Sequence, residues 1–130
     1  MEFNQPKGIY LQIADQVCDR ILQGEWNGGD RIPSIRELAV NLGVNPNTVT
    51  RSYQSLLDWQ IIENRRGIGY FVTIDARANI LKERRKDFIR EDLPGMFKTM
   101  QLLDIGIEEI NEYYTSYTVR KAGGGDKPPE

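Results

Sequence analysis

Two helix-start signals stand close together in this chain, with a glycine between them. Pro33 precedes Ser34, and Glu37 follows Ser34 three residues later. In that Ser-x-x-Glu spacing the hydroxyl accepts one free amide N–H while the carboxylate reaches back to another. Ile35, Leu38, Ala39 and Leu42 then share one helical face. Gly43 suits the left-handed residue that ends a helix, and Val44 can pack in the turn. Asn45 opens a second helix at once. Pro46 follows at the first helical position, where its missing N–H is harmless. Val49, Tyr53, Leu56 and Leu57 form the inward stripe of that helix.

A hairpin follows. Ile61-Ile62-Glu63-Asn64 and Gly69-Tyr70-Phe71-Val72-Thr73 are short β-rich runs around Arg65-Arg66-Gly67-Ile68. Helix, tight turn, second helix and hairpin predict a mainly α chain with one small β-hairpin. The outline is a winged helix-turn-helix head. The outer face of the second helix carries Asn47, Thr48, Thr50, Arg51 and Gln54, with no carboxylate. Amides can pair with adenine edges, and a guanidinium with guanine or phosphate. A guanidinium at a loop tip suits phosphate or a narrow minor groove. Taken alone, the helix face could be an ordinary solvated surface and the hairpin an ordinary charged turn. Together they point to double-stranded DNA.

The run IYLQIADQVCDRILQGEW, then GDRIPSIRELAVNLGVNPNTVTRSYQSLLDWQIIENRRGIGYFV, resembles the DNA-binding domain of GntR-family bacterial transcription regulators. The likeness spans residues 8–73. Its motifs are Pro-Ser-x-Arg-Glu-Leu-Ala, Gly-Val-Asn-x-Asn-Thr-Val and Gly-x-Gly-x-Phe-Val, in this order. The resemblance implies that Asn45, Asn47, Thr48 and Arg51 face the DNA and that Arg66 and Gly67 meet it at the wing. It also implies that Arg31 and Arg36 hold the DNA backbone. Ser34 and Arg65 complete the expected DNA-binding set. Some members carry a basic residue where this chain has Pro46 or Thr50, so recognition here leans on amides and hydroxyls. The short helical tail resembles the YtrA-like subgroup. Larger subfamilies attach a ligand-binding or aminotransferase-like domain, and 130 residues leave no room for either.

That length allows one compact domain plus a helical appendage. The expected division is 1–74 for the DNA-binding head, 75–120 for a helical dimerisation region and 121–130 for a flexible Gly/Pro-rich tail. No apolar run is long enough for a bilayer, and MEFNQPKG lacks the pattern of a signal peptide. A single cysteine, Cys18, excludes an intrachain disulfide and agrees with the cytoplasm. The net charge of −2 is unusual for a nucleic-acid binder. Its distribution helps: between residues 31 and 73 five arginines (31, 36, 51, 65, 66) stand against Glu37, Asp58 and Glu63. The low total argues for binding that depends on a dimer. There is no histidine, so histidine acid–base chemistry is excluded. One cysteine without histidine leaves no conventional zinc site, and no Gly-rich phosphate loop occurs. No enzyme, cofactor or metal is expected.

Residues 8–24 read as an amphipathic helix with Ile9, Ile13, Val17 and Ile21 inward and Gly24 at its end, and Trp26 covers the core edge. After Thr73 the character changes. Asp75–Asp92 is a charged helical segment, Leu93-Pro94-Gly95 is expected to interrupt it, and Met96–Leu103 and Ile105–Tyr117 follow as further helices. Their apolar positions, Ile80, Phe88, Phe97, Met100, Leu103, Ile107, Ile110, Tyr114 and Tyr117, are expected to pair two chains. The reading is a homodimeric transcription regulator, a repressor, on an inverted-repeat operator. The rival is a winged helix used as a protein-interaction module. A small effector in a crevice between paired tails stays open.

Overall fold

The computed structural model describes residues 7–122. Helices α1 (Ile9–Leu22), α2 (Ile35–Leu42) and α3 (Pro46–Asp58) precede a hairpin of β1 (Ile62–Arg65) and β2 (Gly69–Val72). Then come α4 (Ala76–Asp87), a π-helical turn (Phe88–Asp92), α5 (Leu93–Leu103) and α6 (Ile107–Ala122). The fold is the expected one, a winged helix-turn-helix head followed by helices.

The helix starts form as their sequences dictate. Ser34 Oγ accepts from the Glu37 N–H at 3.1 Å, while the Ser34 N–H donates to Glu37 Oε1 at 2.9 Å. Asn45 Oδ1 accepts from the Asn47 N–H at 2.8 Å. Gly43, at φ +68°, closes α2 in a conformation that favours glycine. The short turn that follows sends the chain back, and α2 packs on α3.

Burial of the inward stripes supplies most of the stabilisation. Ile13, Ala14, Val17, Cys18 and Ile21 of α1 meet Leu38 of α2 and Val49, Tyr53 and Leu56 of α3. The α1 stripe starts one turn later than expected, because Ile9 stays 54% exposed. Tyr53 is the central pin: its hydroxyl donates to the Pro33 carbonyl, and its ring meets Tyr70 edge-on at 4.9 Å. Trp26 packs against the core edge under Arg20.

The hairpin pairs Ile62 with Val72 and Arg65 with Gly69. Its outer edge is not bare. Arg31 bridges Phe71, the Ile32 N–H donates to the Tyr70 carbonyl at 3.0 Å, and the Val72 N–H donates to the Asp30 carbonyl at 2.8 Å. Residues 30–32 thus cover the β2 edge, which would otherwise offer unpaired groups to another chain.

Three findings differ from expectation after Thr73. Ile80, expected at a dimer contact, is 1% exposed and belongs to the head's own core, together with Ala76. The first turns of α4 lie against α1, so Ile80 fills intrachain space. Met100 is likewise buried within the chain. Second, Leu93-Pro94-Gly95 does not interrupt the helix, which runs unbroken from residue 76 to 103. A proline ring clashes with the carbonyl four residues back and offers no N–H. Here that carbonyl belongs to Arg90, inside the π-helical turn. The wider turn absorbs the misfit that would otherwise break or kink the rod. The rod is about 40 Å long. Third, α6 extends through Lys121 and Ala122, two residues into the stretch expected to be a flexible tail; the rest of that stretch and the N-terminal residues 1–6 lie outside the described residues.

Asp104, left-handed at φ +58°, closes α5 before α6. Along these helices Phe88, Phe97, Leu103, Ile107 and Tyr114 are exposed, and Ile110 and Tyr117 are half-buried. No helix of the described residues is long and apolar enough to cross a membrane.

Candidate nucleic-acid interface

The outward face of α3 is built by its neighbours. α1 and α2 hold its apolar stripe, so Asn47, Thr50, Arg51 and Gln54 are left outside, with Thr48 half-buried beside them. The first turn carries no acidic residue. Two of these side chains are engaged within the helix. Thr50 Oγ1 donates to the Pro46 carbonyl at 3.1 Å, and the Gln54 amide donates to Asp58 Oδ1 at 2.9 Å. Asn47, Thr48 and Arg51 have no side-chain hydrogen bond among the described residues. Asn45 keeps its amide N–H donors, since only its oxygen caps α3.

Arg36 projects from the first turn of α2 and is exposed. Neither Glu37 nor Asp58 forms an ion pair with it. Glu37 closes the capping box, and Asp58 holds Gln54. The backbone hydrogen bond from Ser34 keeps the Glu37 carboxyl below its ordinary value, so it is a carboxylate at neutral pH. Ser34 itself sits at the helix start, where its oxygen serves the cap and its O–H remains a donor.

The wing divides its arginines between two conditions. Arg65 ends β1 rather than crowning the tip. It donates twice to Glu63 Oε2, at 3.0 and 3.1 Å, and its guanidinium lies 4.1 Å above the Phe71 ring. Its charge is therefore compensated inside the hairpin. Arg66 is exposed at the tip and forms no ion pair among the described residues. Gly67 follows at φ +76°, and the Ile68 N–H donates to the Arg65 carbonyl to close the turn. Arg31 lies at the wing root. A Cβ on Gly69 would come 2.9 Å from Arg31 Nε, so the missing side chain at Gly69 is what lets Arg31 lie across the strand.

Arg31, Arg36, Arg51 and Arg66 are thus exposed cations, while Arg65 is tied down. Sequence reasoning missed Tyr10. The Arg51 guanidinium lies 4.0 Å above the Tyr10 ring, and Ser52 Oγ donates to the Tyr10 carbonyl at 2.6 Å. The available signal was helical spacing: positions 10, 13, 14 and 17 fit one face better than a stripe begun at Ile9.

A separate groove of about 700 Å³ lies where α4 passes α1, with Leu11, Cys18, Trp59 and Ile80 on its apolar side. Arg84 lines it and donates to Asp19 Oδ1 at 2.7 Å. Burial pushes the Cys18 thiol up to about 12, so it is protonated at neutral pH and serves packing. Among the described residues no group of acidic, histidine or cysteine side chains could hold a metal ion.

Residues 9–72 match the family model for bacterial regulatory proteins of the gntR family. The uncharacterized helix-turn-helix regulator YhcF of Bacillus subtilis is 40% identical over 117 residues, which cover 90% of this chain and 95% of that protein. The transcriptional repressor YtrA of the same organism is 32% identical, over 89% of this chain and 88% of its own length. A GntR-family regulator of Bacteroides thetaiotaomicron has a similar solved structure. Its TM-score is 0.77 at 43% identity, covering 88% of this chain and 99% of that one.

Proposed function

Because this chain belongs to the gntR family of bacterial regulatory proteins, in its YtrA-like subgroup, and is a helix-turn-helix DNA-binding transcription regulator, we propose that it acts as a homodimeric repressor on an inverted-repeat operator. The observation that carries this reading is the outward face of the N-terminal half of α3, which bears no acidic residue up to Gln54, with Asn47, Thr48 and Arg51 unengaged by side-chain hydrogen bonds among the described residues. Docked in a major groove, Asn47 and Arg51 read base edges, and Thr48 adds a hydroxyl contact. Asn45 and Ser34 supply donors at the two helix starts, and Arg31 and Arg36 hold phosphates. Arg66 and Gly67 bring the wing tip against the neighbouring backbone or minor groove. Arg65 contributes through the shape of the wing rather than as a free cation, given its bonds to Glu63.

The apolar side chains left exposed at Phe88, Phe97, Leu103, Ile107 and Tyr114 support pairing of two chains through the helices after the head, with Ile110 and Tyr117 beside them. A two-fold dimer matches an operator of inverted half-sites about one helical turn apart or more. The relative YtrA bears the name of repressor, which supports that sign of regulation here. Action on chromosomal DNA places the protein in the cytoplasm.

The test is selection of bound duplexes from a random pool, followed by a shift assay and sedimentation on the full chain. The selected duplex is expected to carry an inverted repeat, and the protein to sediment as a dimer. Arg51→Ala is expected to weaken operator binding by about 1–3 kcal/mol. A folded, paired protein that ignores every duplex at low ionic strength would overturn the reading.

A further inference from the structure

We infer that Tyr10, outside the helix-turn-helix itself, is a positioning residue for DNA reading: it aims the Arg51 guanidinium from behind. The inference rests on the reading of α3 given above.

The geometry is specific. Tyr10 lies in the first turn of α1 and is half-buried. Its ring carries the Arg51 guanidinium at 4.0 Å. Its carbonyl accepts from Ser52 Oγ at 2.6 Å, and Ser52 is fully buried, so the backbone that carries the ring is anchored to the residue next to the one the ring supports. Ser52 Oγ also meets the Thr48 carbonyl at 3.1 Å, which ties the anchor into α3. A guanidinium held by its face keeps its in-plane N–H groups free, and these are the groups that bind guanine O6 and N7 in a bidentate fork. A free arginine would have to order a long side chain on binding; one already stacked has less freedom to lose. Arg51 forms no ion pair among the described residues that would hold it elsewhere. Tyr10 thus does what no polar neighbour does: it fixes the direction of the side chain without occupying its donors.

The experiment is a double-mutant cycle in the full chain, using a duplex selected by the parent protein and variants of that duplex at each half-site position. Tyr10→Leu is expected to weaken binding about three- to tenfold and to flatten the preference at the base pair that Arg51 reads. Tyr10→Phe keeps the ring and is expected to behave as the parent. In the Arg51→Ala background, Tyr10→Leu is expected to have no further effect. Thermal unfolding of each variant separates a loss of fold from a loss of aim. Equal weakening by Tyr10→Leu in both backgrounds would overturn the inference, as would parent-like affinity and preference in Tyr10→Leu. If the parent itself binds no duplex, the functional reading falls; if the parent binds and the cycle shows no coupling, only the role of Tyr10 falls.

Discussion

Gly69 shows how one missing side chain can serve a distant cation. Its φ of +146° is a conformation that other residues rarely adopt, and its open side is filled by Arg31. Gly69→Ala is expected to lower stability by about 1–3 kcal/mol through backbone strain and to displace Arg31 as well. The urea midpoint checks the first effect, and a loss of operator affinity beyond that of other variants of equal stability checks the second. Glu37 gives a pH dependence of definite sign. Its folded-state value lies below the ordinary 4.5, because Ser34 donates to the charged form. The stability it adds is present above its unfolded-state value and is lost as pH falls through the lower folded-state value. The parent is expected to exceed Glu37→Ala in stability at neutral pH, with the gap closing in acid below about pH 4.5. A gap that stays constant into strong acid would show that the carboxylate plays no part in the cap.

At the level of elements, α4 serves two ends. Its first turns complete the head's core through Ala76 and Ile80, and its continuation through the π-helical turn carries an exposed apolar face away from that core. The proline at 94 leaves the rod intact because the looser turn upstream accepts its ring. Ile80→Ala is expected to cost about 2–5 kcal/mol, as for a buried aliphatic side chain in a packed core. Urea unfolding followed by Trp26 and Trp59 fluorescence checks it. A loss seen only in self-association, with the head as stable as before, would return Ile80 to the dimer contact.

At the scale of the molecule, the head and the rod share a boundary that is not a loop. The core reaches Ile80, so a chain cut after Asp87 retains it and a chain cut after Ile74 does not. The longer fragment is expected to fold as a monomer and to bind operator poorly; the shorter one is expected to unfold at markedly lower urea. Circular dichroism and gel filtration check both. Self-association by the fragment ending at Asp87 would move the pairing surface onto the head. Formal charge is −2 for the whole chain, so few phosphates are neutralised per head, and operator affinity is expected to fall with salt along a slope set by the arginines that reach them.

Local chemistry determined much of this protein by itself. The Ser34–Glu37 cap, the Asn45–Pro46 start, Gly43 and the glycine-bearing hairpin are decided by bonds within a few residues, and each was legible without coordinates. The outward set Asn47, Thr50, Arg51 and Gln54 followed from helical periodicity alone; that the acid at the far end of the same helix, Asp58, holds Gln54 did not. Only the tertiary structure decided which apolar and charged side chains find partners across the chain. Ile80 lies on a sparse, charged helix, and nothing in its own segment reveals that α1 waits to cover it. Arg65 and Arg66 are adjacent and alike in sequence, yet strand geometry brings one to Glu63 and Phe71 and leaves the other at the tip. Tyr10 and Arg51 are far apart along the chain, and their contact exists because α1 packs on α3. Short-range hydrogen bonds are written in neighbouring residues; long-range contacts depend on where the whole chain places its surfaces.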